Sequence, residues 1–147
     1  MSKVDELHQA VKRGDTARMR KLLDENRDLA NSPSETDARG TSPLHVAAEF
    51  GQADAARMLL AYGADVALRD AENDAIALCW AAFFGRPEVV RILLAAGSEP
   101  SQRNKHGLTS LGCAVGGTEG RWTPFSNATA EECQRAADAI RVHGGVE

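Results

Sequence analysis

The sequence predicts an all-α fold, a solenoid of stacked helix-turn-helix pairs with short β-turn fingers between the pairs. Internal repetition is the first observation behind this prediction. The segment Gly40-Thr41-Ser42-Pro43-Leu44-His45-Val46-Ala47-Ala48-Glu49-Phe50-Gly51 is echoed by Asp74-Ala75-Ile76-Ala77-Leu78-Cys79-Trp80-Ala81-Ala82-Phe83-Phe84-Gly85, with Leu, Ala-Ala and Gly recurring at an offset of 34. The second observation is that the next segment keeps the same period. Arg57-Met58-Leu59-Leu60-Ala61-Tyr62-Gly63 is matched 34 residues on by Arg91-Ile92-Leu93-Leu94-Ala95-Ala96-Gly97. Composition is the third. The chain has 147 residues, 43% of them hydrophobic and 26% charged, which suits one short repeat array with a real core and excludes a disordered chain.

Each element has a local reason. A degenerate first copy reads Leu7-His8-Gln9-Ala10-Val11-Lys12-Arg13-Gly14 and then Lys21-Leu22-Leu23. In the second copy Pro43 suits the first helical turn, where its missing N–H is no loss. Ser42 and Thr109 precede helices and can cap them. The small pairs Ala47-Ala48 and Ala81-Ala82 allow helices to approach closely, while Leu59-Leu60 and Leu93-Leu94 supply bulk on the second helix of each pair. Gly51, Gly63, Gly85 and Gly97 stand where helices end. A last copy begins at Gly107-Leu108-Thr109-Ser110-Leu111-Gly112-Cys113-Ala114-Val115. Its second helix is capped by Asn127 or Thr129, turns Ala136, Ala139 and Ile140 to the stack, and runs to about His143 before Gly144-Gly145.

These residues resemble the ankyrin repeat. The stretch Thr41-Ser42-Pro43-Leu44-His45-Val46-Ala47 stands near that family's T-P-L-H-x-A signature, and A-A-x-x-G and L-L-x-x-G recur around it. The resemblance covers essentially the whole chain as a single domain, 1–147, with repeats at about 4–31, 37–69, 70–102 and 103–145. It implies a non-enzymatic interaction module that binds a protein or peptide partner on the concave face lined by the first helix of each repeat.

The breaks in the pattern are the local clues. The link Asn26–Thr36 is long and turn-rich. The third repeat carries one extra finger residue in Asp70-Ala71-Glu72-Asn73-Asp74, and Ile76-Ala77-Leu78-Cys79 stands where T-P-L-H is expected. The fourth repeat has Cys113, Gly116 and Gly117 in place of large residues; the glycines either end the helix or leave space beside repeat three. An insertion at about 117–128, Gly117-Thr118-Glu119-Gly120-Arg121-Trp122-Thr123-Pro124-Phe125-Ser126-Asn127-Ala128, separates its two helices. Trp122 and Phe125 must pack somewhere, either as a cap over the end of the stack or as a lid over the groove.

The concave positions read Gln9, Lys12 and Arg13, then Val46, Glu49 and Phe50, then Trp80, Phe83 and Phe84, then Cys113, Gly116 and Gly117. Aromatics beside a glycine-made gap and a Trp-bearing insertion describe an apolar pocket with a roof. The candidate binding residues are therefore Phe50, Trp80, Phe83, Phe84, Trp122, Phe125 and Glu49, with Arg39, Arg69, Arg103, Lys105 and His106 on the finger tips as a cationic rim able to hold a carboxylate or phosphate. The alternative is a small-molecule site or small enzyme, with chemistry drawn from His106, Cys113, Glu49 and Asp74, or from Glu119 and Arg121 nearby.

Other classes are disfavoured. A net charge of −4 is a poor match for nucleic acid. No apolar run reaches the roughly 18–20 residues of a membrane span. The start, MSKVDELHQAVKRGD, reads as an amphipathic helix of a cytoplasmic protein. Cys79, Cys113 and Cys133 show no CxxC spacing, so neither a disulfide framework nor a metal site is expected, and no cofactor fingerprint is present.

Overall fold

The computed structural model describes residues 1–123 and 125–145; Pro124 of the predicted insertion, Val146 and Glu147 lie outside the described residues. The helices pair along the chain: α1 (Lys3–Arg13) with α2 (Thr16–Glu25), α3 (Pro43–Phe50) with α4 (Ala53–Ala61), α5 (Ala77–Phe83) with α6 (Pro87–Ala95), and α7 (Ser110–Thr118) with α8 (Ala130–Val142). The first helices of successive pairs pack in one row, α1 on α3 on α5 on α7, and the second helices in another, α2 on α4 on α6 on α8. The core runs continuously between the two rows, with Leu7, Leu44, Leu78 and Leu111 at equivalent places in the inner one. A short 3-10 turn, Arg27–Asn31, occupies part of the long first link and buries Leu29 and Ala30. Among the described residues the extended pairing is a single bridge, Arg69 to Ile76, at the base of a finger.

Local chemistry sets the helix starts. The Ser42 hydroxyl accepts the His45 N–H, and the His45 ring closes a capping box by accepting the Ser42 backbone N–H at its Nδ1, 3.2 Å away. With Nδ1 accepting, Nε2 carries the proton and donates to the Ala75 carbonyl at 2.8 Å, tying repeat two to the finger of repeat three. His8 bonds the Ser32 carbonyl in the same way, at 2.9 Å. In repeats three and four this position holds Cys79 and Gly112, so the tie ends there. Thr109 caps α7 by accepting from Gly112, and Thr129, not Asn127, caps α8 in a box with Glu132.

Two expectations about the fourth repeat are refined. Gly116 and Gly117 do not end α7, which continues through both to Thr118. Their lack of a side chain serves packing instead. A Cβ on Gly116 would lie 2.5 Å from the Trp122 ring, and one on Gly117 would lie 2.4 Å from the Cys133 sulfur. The segment between the helices consequently starts at Glu119, after α7, and ends at Thr129, before α8.

Candidate functional site

The third finger explains its own extra residue. Asp70 is buried, and its carboxylate accepts the backbone N–H groups of Asn73 at 2.7 Å and Ala75 at 3.0 Å. The backbone closes around it, with Asp70 and Ala75 bonded N–H to carbonyl and Asp74 turning through the left-handed region at φ 51°. The same carboxylate then accepts the Trp80 indole N–H at 3.0 Å. The Trp80 ring sits edge-on to His45, with ring centroids 5.3 Å apart. Trp80 is only 5% exposed, so it forms a wall of the site.

The opposite wall comes from the insertion. Trp122 stands over Gly116 and donates its indole N–H to the Cys113 carbonyl at 2.7 Å. Its ring lies 5.4 Å from Phe83, which meets Phe84 edge-on at 5.0 Å. Between these walls is a cleft of about 500 Å³, with Cys79, Cys113 and Leu108 among its lining and Phe125 at its edge. Glu72 and Asn73 from the third finger and Asn104 and His106 from the fourth complete the lining. Phe125 is 73% exposed.

The structure thus brings Trp80, Phe83, Phe84, Trp122, Phe125, Arg39 and His106 to one cleft. It places Phe50 and Glu49 on a separate hollow of about 200 Å³, shared with Arg86, Phe84 and Phe125. Lys12 lies over the Phe50 ring at 5.2 Å. Arg69, Arg103 and Lys105 line neither.

The cationic rim needs a correction, because its guanidinium groups are already engaged within the chain. Arg39 pairs with Asp37 at 2.8 Å and Glu49 at 2.9 Å while stacking over Trp80 at 4.9 Å. Hydrogen bonding to Asp37 and Glu49 pushes Arg39 above its ordinary range, and Arg39 in turn holds the Asp37 carboxyl below the usual carboxylate range. Arg69 binds the carbonyls of Asp74 and Arg103, at 2.6 and 2.8 Å, and the Gln102 side chain, so it staples the two fingers together. Arg103 donates to the Gly107 carbonyl at 2.7 Å. Lys105 and His106 remain exposed, with the Lys105 backbone N–H bonded to the Asn73 carbonyl.

The four residues of the alternative catalytic reading do not converge. His106 and Cys113 line the cleft, Glu49 is held by Arg39 on the other hollow, and Asp74 pairs with Arg69 at 3.6 Å. Sequence reasoning missed Asp70, Glu72, Asn73 and Asn104. The available signal for them was the extra residue in the third finger and the polar fourth finger, Arg103-Asn104-Lys105-His106.

Comparison with known proteins agrees with this architecture. A family model described as ankyrin repeats (3 copies) matches residues 6–70, and one described as ankyrin repeat matches 73–105. Together they span more than half of the chain, and the chain belongs to the ankyrin-repeat family. Ankyrin repeats are generally protein–protein interaction modules. A 53-residue stretch is 42% identical to part of the potassium channel AKT2/3 of Arabidopsis thaliana, covering 36% of this chain and 7% of that channel. Among the described residues no helix is long and apolar enough to cross a membrane.

Proposed function

We propose that this chain is a non-enzymatic interaction module that seats a hydrophobic side chain of a protein or peptide partner in the cleft between Trp80, Phe83 and Trp122. The observation that carries this reading is the exposed Phe125 beside an aromatic cleft of about 500 Å³. Binding energy at interfaces concentrates in such pockets, around aromatic anchors, with a polar rim setting orientation. Glu72, Asn73, Asn104 and His106 supply that rim. The net charge of −4 favours a protein partner over nucleic acid, and three free thiols support a reducing compartment, the cytoplasm.

A second reading has its own support. The cleft falls within the roughly 300–1,000 Å³ typical of small-molecule sites, so a small apolar ligand with hydrogen-bonding groups also fits it. The test is capture of a partner on the wild-type chain and on a Phe83→Ser/Phe125→Ser variant, after circular dichroism establishes that both are folded. Titration with the purified partner should then show a loss of more than about 2 kcal/mol in the variant. Equal affinity for both overturns the cleft as the docking site. A thermal shift with metabolites, in the absence of any partner, would favour the second reading.

A further inference from the structure

The floor of the cleft carries chemistry that docking does not use. Cys79 on α5 and Cys113 on α7 come from helices in direct contact, and both thiols line the cleft. Each thiol is the other's leading electrostatic partner. Cys79 also stands three residues after Ile76, as His45 stands after Ser42, in the first turn of α5. The neighbouring Cys113 thiol, with the Ile76 backbone, holds the Cys79 thiol below its ordinary range, while Cys79 and burial push Cys113 up. The third cysteine lies away from this pair. Cys133 is fully buried, packs against Gly117 outside the cleft, and is pushed up by burial.

We propose that Cys79 and Cys113 form a redox pair, in which a peroxide entering the cleft oxidises Cys79 and Cys113 resolves the product as a disulfide joining repeats three and four. In the first step the Cys79 thiolate sulfur gives two electrons to hydrogen peroxide. The O–O bond breaks, one oxygen stays on sulfur as a sulfenic acid, and the other leaves as water. In the second step the Cys113 sulfur attacks the Cys79 sulfur, the S–O bond breaks, and hydroxide leaves with the thiol proton as a second water. One peroxide and two thiols thus give one disulfide and two waters, and a dithiol reductant reverses it. Bonding at about 2.05 Å draws the two sulfurs together across α5 and α7, and so narrows the floor beneath Trp80 and Trp122. A low-lying thiol with a neighbouring resolving cysteine is the arrangement that makes a thiol selectively oxidisable. This inference does not depend on the docking reading.

The test treats the folded wild-type chain with hydrogen peroxide, blocks remaining thiols with N-ethylmaleimide, and digests with trypsin. Peptides 70–91, 106–121 and 122–135 each contain one cysteine. The expected product is a cross-link of 70–91 to 106–121 that disappears with dithiothreitol, with Cys133 alkylated only after denaturation. In Cys113→Ser, dimedone should label Cys79; in Cys79→Ser, Cys113 should stay unlabelled at the same dose. Oxidation of Cys133 before the other two, a cross-link to 122–135, or recovery of Cys79 and Cys113 as unoxidised thiols overturns the proposal.

Discussion

The buried carboxylate of Asp70 accepts the indole N–H of Trp80 at 3.0 Å, and this one bond links the irregular third finger to the wall of the cleft. It also accounts for the lost signature of repeat three. With Ile76 and Cys79 in place of Ser42 and His45, the helix start has no hydroxyl cap. The finger is instead organised from within, by a carboxylate that gathers two backbone N–H groups and one indole.

Replacing Asp70 by Ala should therefore destabilise the chain by about 3 kcal/mol, since it leaves several buried donors without partners. Trp80→Phe removes only one donor and keeps most of the packing, so its cost should be about 1 kcal/mol. Urea denaturation of both variants checks this. A smaller loss for Asp70→Ala than for Trp80→Phe would show that the finger is not held by the carboxylate.

The glycines of α7 should respond in opposite directions. Alanine at Gly116 improves helix propensity but puts a Cβ 2.5 Å from the Trp122 ring, and overpacking of that kind costs about 1–3 kcal/mol. Alanine at Gly112 meets its nearest neighbour, Leu108, at 3.4 Å. It should be neutral or stabilising by about 0.5–1 kcal/mol, the helix-propensity gain. Only Gly116→Ala should shift tryptophan emission to the red, as the Trp122 ring is displaced toward water.

These cases mark what was legible. The repeat architecture could be read because Ala-Ala, Leu-Leu and the terminal glycines impose the same packing at each period. Aromatic clustering could be read because Trp80, Phe83 and Phe84 fall on one helix face. The direction of Trp80 could not, since it depends on a finger closing around Asp70 through backbone bonds. Gly116 announced a gap, but not that Trp122 fills it. The cations misled for a similar reason. Arg39 looks free in sequence, yet the finger fold sets it between Asp37, two residues away, and Glu49, ten residues away.

His45 should make stability depend on pH in a definite direction. Burial holds its pKa below the ordinary value, despite the opposing bond to the Ala75 carbonyl. In the unfolded chain a histidine titrates near about pH 6.5, so below that pH the unfolded state binds the extra proton first. The contribution is complete above about pH 6.5 and is lost as pH falls toward the folded value. His8, lowered by burial as well, acts in the same direction. The urea midpoint should hold steady above about pH 7 and fall toward pH 5, with a shallower slope in His45→Gln. An unchanged slope in that variant would assign the effect elsewhere.

Arg39→Gln tests the rim. It removes the pairs with Asp37 and Glu49 and the stacking over Trp80, but the side chain is 35% exposed, so screening limits the loss to about 1 kcal/mol. Because Arg39 depresses the Asp37 carboxyl, the wild type should keep this contribution above about pH 4 and lose it as Asp37 protonates at lower pH. The two proteins should accordingly converge in stability in acid. A difference that persists there would locate the effect in packing and not in charge.

Trp122 and Phe125 separate the two roles open to the insertion. Trp122 is half-buried against Phe83 and Gly116 and holds the Cys113 carbonyl, so Trp122→Ala should cost about 2 kcal/mol by opening the end of the stack. Phe125 is 73% exposed, and Phe125→Ala should change stability by less than about 0.5 kcal/mol. If the segment also serves the cleft, Phe125→Ala should weaken partner affinity at least tenfold while the urea midpoint stays put, a loss of about 1.4 kcal/mol. If it is only a cap, Phe125→Ala should bind as the wild type does, and Trp122→Ala should lose affinity no more than its instability explains. Measuring both quantities on both variants decides between a wall that stabilises and a lid that binds.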